Sequence, residues 1–158
     1  MSIQLTSDAF EPGGTIPTKY TDDGRNVSPP LKWGGVPAGT RELALIVDDP
    51  DAPRAEPFVH WVLYKIPGDA PAIPEAAPSR RKDADWVRGA KQGENSRHDI
   101  GYFGPSPPRG HGTHHYHFHL YALDKPLEVE GGLDNKALIA AMSGHVLDEG
   151  ELIGTYER

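Results

Sequence analysis

His114-His115-Tyr116-His117-Phe118-His119-Leu120-Tyr121-Ala122-Leu123 alternates without a break. Successive side chains of an extended chain point to opposite faces, so His114, Tyr116, Phe118, Leu120 and Ala122 share one face. His115, His117, His119, Tyr121 and Leu123 share the other. The first set is the more apolar and predicts the core face. Working outward, Phe58 to Ile66 places Phe58, His60, Val62, Tyr64 and Ile66 on one face and Val59, Trp61 and Leu63 on the other. With both faces apolar, this strand belongs in the middle of a sheet. Glu42 to Asp48 is a short apolar run that exits through Asp49-Pro50-Asp51-Ala52-Pro53, as a buried strand leaving its sheet does. Ile3 to Leu5, Trp86 to Lys91 and Leu152 to Tyr156 are weaker strand candidates. One helix is predicted, with Asp134 as N-cap and Ala137, Leu138, Ala141 and Met142 at helical spacing; Gly144 ends or bends it. The fold class is mainly β, in one domain over residues 1–158.

The bulk properties agree and narrow the function. A chain of 158 residues is long enough for a real core. It has no cysteine, which removes disulfides, thiolate chemistry and cysteine-bound zinc. The start, Met1-Ser2-Ile3-Gln4-Leu5, has neither a basic segment nor a long apolar run, and no stretch approaches a membrane span. A soluble, cytoplasmic protein with no transmembrane segment is the expectation. A formal net charge of −7 disfavours nucleic acid as a partner, because phosphate backbones need clustered Lys and Arg. A local pocket can still take an anion. Gly-Asp-Ala-Pro-Ala-Ile-Pro-Glu-Ala-Ala between Pro67 and Pro78, and the polar stretch Asp83 to Asp99, read as surface crossings.

Three elements could carry chemistry. Asp48-Asp49-Pro50-Asp51-Ala52-Pro53 packs three carboxylates among prolines, which hold side-chain directions, although acidic proline turns are also common on plain surfaces. His60 and His114 sit on mostly apolar faces, where a histidine is more often a satisfied core residue than a ligand. Gly101-Tyr102-Phe103-Gly104-Pro105-Ser106-Pro107-Pro108-Arg109-Gly110 runs directly into the histidine-rich strand and could form the rigid wall of a small cavity, or be a simple turn.

The order of these elements is more specific than any one of them. Asp-Pro-Asp-Ala-Pro, then His-Trp, then Gly-Pro-x-Pro-Pro-x-Gly with His-x-Tyr-x-Phe following, resembles the phosphatidylethanolamine-binding (Raf kinase inhibitor-like) family, in its bacterial and archaeal branch. The likeness extends from Ser7-Asp8-Ala9-Phe10 and Ser28-Pro29-Pro30-Leu31-Lys32-Trp33 to Gly144-His145-Val146-Leu147 and Gly154-Thr155-Tyr156-Glu157-Arg158. It implies a large antiparallel sheet with a smaller second sheet, peripheral helices, and a pocket for phosphate-type anions such as a phosphatidylethanolamine headgroup. Around that pocket it places Asp49, Ala52, Pro53, His60, Pro107, Pro108, His114 and Tyr116; Asp51 belongs to the same motif with no direction assigned. A small phosphorylated ligand is the implied partner, a kinase or other protein a further one, and a homodimer is compatible. The chain stops at Arg158, short of the C-terminal segment of the mammalian members, so their kinase regulation is not carried over.

In such a pocket His60 and His114 would donate N–H groups and Tyr116 its hydroxyl, while apolar walls strengthen the bonds by excluding water. Asp49 would either orient a histidine or meet an ammonium group on the ligand. No nucleophile with an adjacent base, phosphate-binding glycine loop or His-Glu-x-x-His is present, so neither an enzyme nor a cofactor is expected. The competing reading is a metal-dependent β-barrel enzyme. His111, His114, His115, His117 and His119 are five of the eight histidines, and His117-x-His119 has metal-ligand spacing. The expected glutamate ligand is missing from Leu120-Tyr121-Ala122-Leu123-Asp124, so His115, His117 and His119 are expected on the less buried face without a required metal.

Overall fold

The computed structural model describes residues 2–158. The strands are β1 (Gln4–Thr6), β2 (Leu31–Gly34), β3 (Glu42–Asp49), β4 (Phe58–Pro67), β5 (Ala72–Ile73), β6 (Lys91–Gln92), β7 (His114–Leu123) and β8 (Val146–Tyr156). Two antiparallel sheets form, a larger one ordered β6-β4-β3-β7-β8 and a smaller one ordered β1-β2-β5. The helix α1 (Asn135–Met142) packs on the large sheet.

β3 and β4 occupy the centre because both of their faces are covered. Leu45, Val47, Trp61, Leu63, Phe118 and Leu120 face the small sheet and join Leu5, Leu31, Trp33 and Ile73 in the main core. Ala44, Ile46, Val59, Val62 and Tyr64 face the other way, where Leu127, Leu138 and Met142 cover them. α1 follows its sequence cues: the Asp134 carboxylate accepts from the Ala137 N–H at 2.9 Å, and Gly144, at φ +80°, lies just past the end. α1 is short, so the His115, His117 and His119 side of β7 stays partly open.

Four expectations need correction. His60 does not share a face with Val62 and Tyr64. Val47 pairs with Trp61 but Asp48 pairs with Val59, so His60 is the extra residue of a bulge and turns to the Tyr116 face. A second shift near Lys65, at φ +55°, likewise moves Ile66 into the main core. Trp86 to Ala90 is turn rather than strand, with Gly89 at φ +80°, and only Lys91–Gln92 pairs with β4. The last strand begins at Val146, well before Leu152, because its polar first half lies at the sheet edge.

Candidate functional site

β3 and β7 run antiparallel, which brings Asp49 at the end of one beside His114 at the start of the other. The bulge in β4 adds His60 to the same face. The segment after β6 then straps along β4, with Gly93, Ser96 and Phe103 N–H groups donating to the Val62, Val59 and His60 carbonyls at 2.8–2.9 Å. That strap delivers Arg97 and Phe103. Beyond it Gly104 lies so close to the Tyr20 carbonyl that any side chain would collide, and its N–H donates to Asn26 Oδ1 at 2.7 Å. The stiff Pro105-Ser106-Pro107-Pro108 run continues from there as a wall.

These elements enclose a cavity of about 240 Å³. All eight residues that the motif resemblance singled out line it: Asp49, Ala52, Pro53, His60, Pro107, Pro108, His114 and Tyr116. Phe58, Arg97, Phe103 and Ser106 complete the lining; Phe103 and Ser106 belong to the loop read as a cavity wall, whereas Phe58 and Arg97 were not anticipated. Phe58 had a signal, since it precedes His60 by two on the same strand. Arg97 had none, because a lone cation in a polar crossing looks like any surface residue. Its guanidinium lies 4.5 Å from the Phe103 ring centroid, a cation–π contact that holds it at the cavity.

The polar groups are arranged differently from expectation. His60 is 4% exposed and its Nδ1 is 2.5 Å from the Phe103 carbonyl oxygen. A carbonyl only accepts, so Nδ1 carries the proton. Burial pushes the His60 pKa down to about 4, against the opposing pull of the Phe103 carbonyl and the Asp49 charge. The ring is therefore neutral near pH 7, and its remaining nitrogen, Nε2, is an acceptor rather than a donor. His114, 1% exposed, is engaged at both nitrogens: Nδ1 is 2.6 Å from Asp49 Oδ2 and Nε2 is 2.6 Å from His111 Nδ1. Asp49 thus orients a histidine, and its second oxygen accepts the Asp51 N–H at 2.8 Å. Asp51 aims away from the cavity. Its carboxylate takes the His115 N–H and Nδ1 at 2.7 and 2.8 Å, and these bonds outweigh burial to hold its pKa below the usual range.

Tyr116 is 1% exposed, and its hydroxyl is the buried side-chain polar atom without a hydrogen-bond partner among the described residues. Its pKa is raised, mainly by burial and then by the Asp49 charge, so the group stays a donor. Phe103 lies parallel to the His60 ring at 5.7 Å and Tyr116 meets it edge-on at 5.2 Å. The cavity therefore has aromatic and proline walls, the unpartnered Tyr116 hydroxyl as a donor, the free His60 Nε2 as an acceptor, the Arg97 cation and the Asp49 carboxylate, whose two oxygens are engaged by Asp51 and His114.

A two-sheet antiparallel protein with a small, apolar-walled cavity at the end of its larger sheet is the class these features define. The phosphatidylethanolamine-binding protein family model matches residues 6–157, and the chain belongs to that family. It is 46% identical over 156 residues to the UPF0098 protein of Methanothermobacter thermautotrophicus, with 99% of each chain covered. Among solved structures it resembles a phosphatidylethanolamine-binding protein homologue of Chlamydia trachomatis, with a TM-score of 0.88 and 39% identity over 99% of this chain and 98% of that one. It also resembles Escherichia coli YbcL, described as a member of the mammalian family, with a TM-score of 0.91 and 30% identity over 100% and 99%. Among the described residues no helix is long and apolar enough to cross a membrane.

Proposed function

We propose that the chain is a non-enzymatic ligand-binding protein whose cavity holds a small phosphate-type anion, such as a phosphate monoester or the phosphoethanolamine headgroup of a lipid. The observation that carries this reading is the buried hydroxyl of Tyr116, unpartnered among the described residues, on a residue that lines the cavity together with Arg97. A buried donor without an acceptor costs roughly 1–3 kcal/mol, which an acceptor on a ligand recovers. A phosphate monoester supplies what the lining lacks. One oxygen accepts from Tyr116, another faces the Arg97 charge, and a protonated oxygen donates to Nε2 of neutral His60. His114 is fixed between Asp49 and His111 and holds its end of the cavity wall in place. The aromatic and proline walls exclude water and strengthen each of these bonds.

Binding rather than turnover is favoured by the lining itself. The alcohol of Ser106 donates to Asp22 at 2.9 Å and is hydrogen-bonded to no histidine among the described residues, so it is not an activated nucleophile. Titration calorimetry with phosphoethanolamine and inorganic phosphate tests the proposal. Tyr116→Phe removes only the hydroxyl and is expected to weaken binding by roughly 1.5–3 kcal/mol with the fold intact. Arg97→Ala should weaken it by a similar amount and flatten its salt dependence. Unchanged affinity in both folded variants would remove the anion from this cavity.

A further inference from the structure

The opposite face of β7 holds a second cluster, which takes no part in the cavity. His117 and His119 follow each other at i and i+2, and β8 pairs alongside so that Glu151 stands directly across from His119. His117 Nδ1 is 3.3 Å and His119 Nδ1 is 3.4 Å from the same oxygen, Glu151 Oε2. We propose that His117, His119 and Glu151 form a binding site for a late first-row divalent cation such as zinc.

The spacing favours ligation over simple hydrogen bonding. N–H···O bonds centre near 2.9–3.0 Å, and both contacts are longer. Around a tetrahedral zinc with bonds of about 2.0–2.2 Å, neighbouring ligand atoms lie roughly 3.4 Å apart. All three ligand atoms fall within 4.8 Å of one another, so one ion can reach them together. A carboxylate also stands behind one of the imidazoles, at the long end of hydrogen-bond distance: Asp48 Oδ1 is 3.4 Å from His119 Nε2, the nitrogen facing away from Glu151. Metal-bound histidines usually have such a partner on the far ring nitrogen, where it fixes orientation. The two imidazoles are stacked, with centroids 5.8 Å apart and planes 17° from parallel, on a paired strand that limits their motion.

Two imidazoles and one carboxylate select zinc, copper or nickel over magnesium and calcium, which prefer oxygen ligands. The histidines are partly buried and Glu151 faces solvent, which leaves room for water to complete the coordination. Elsewhere His98 with Glu94 and His145 with Asp124 bring one histidine to one carboxylate, a single polar contact. The glutamate missing from the chain just downstream of His119 is supplied across the sheet by β8.

The test is calorimetric titration of zinc chloride into untagged, chelator-stripped full chain, with cobalt absorption as a second readout. The expected result is one zinc per chain and a tetrahedral cobalt spectrum. His119→Ala and Glu151→Gln should each weaken zinc binding by about ten-fold or more, while His98→Ala and His145→Ala leave it unchanged. Circular dichroism confirms that each variant is folded. Absence of zinc uptake by the wild-type chain, or equal uptake by the His119 and Glu151 variants, would overturn the proposal.

Discussion

Asp48 and Asp49 are neighbours in the chain and work on opposite sides of the sheet. Strand geometry sends Asp49 to His114 at 2.6 Å and Asp48 to His119 at 3.4 Å. His60 shows the same sensitivity to direction in its chemistry. Burial drives its pKa from an ordinary 6.5 to about 4, so the unfolded chain binds this proton at a pH where the folded chain does not. The stability it contributes is complete above the unfolded value and falls as pH drops from about 6.5 to about 4. The loss is about 3 kcal/mol over that window. Urea titrations of wild type and His60→Gln across this range should therefore differ in slope, the advantage of the wild type shrinking by about that amount on acidification. Parallel profiles would mean that His60 is not held neutral.

Among the elements, β4 does the most to shape the cavity. Two irregularities in ten residues let Trp61, Leu63 and Ile66 reach the main core while His60 faces Tyr116 and Phe103. Regular alternation would have pointed His60 toward the helix side. The helix itself is a local affair: its cap is one side-chain bond, from the Ala137 N–H to Asp134. Asp134→Ala should cost about 1 kcal/mol in urea unfolding, with phosphate-ester binding unchanged because α1 lies on the far side of the sheet from the cavity. A large loss of ligand affinity in that variant would show that the two faces are mechanically coupled.

At the scale of the whole molecule, the large sheet is a partition. One face, with the small sheet, builds the main core and the cavity; the other carries α1 and the open histidine cluster. Asp49→Asn should therefore weaken anion binding and leave zinc affinity within two-fold, while Asp48→Asn does the reverse, and the two effects should add in the double variant. Strong non-additivity in either titration would contradict this separation. The three main strands, the helix and its cap, and the eight cavity residues were legible in the chain. Apolar alternation, a capping carboxylate and proline-stiffened loops act on near neighbours, and the ordered motifs marked the cavity. The face of His60, the Asp49–His114–His111 chain, the place of Arg97 and the carboxylate that Glu151 brings to His117 and His119 were not legible. Each depends on a bulge or on pairing between segments far apart in sequence. Local pattern thus determined what the strands are and which stretches meet at the cavity. Register across the sheet, which no single stretch encodes, decided which polar atoms face one another and which buried side-chain atom among the described residues, the Tyr116 hydroxyl, is left without a partner.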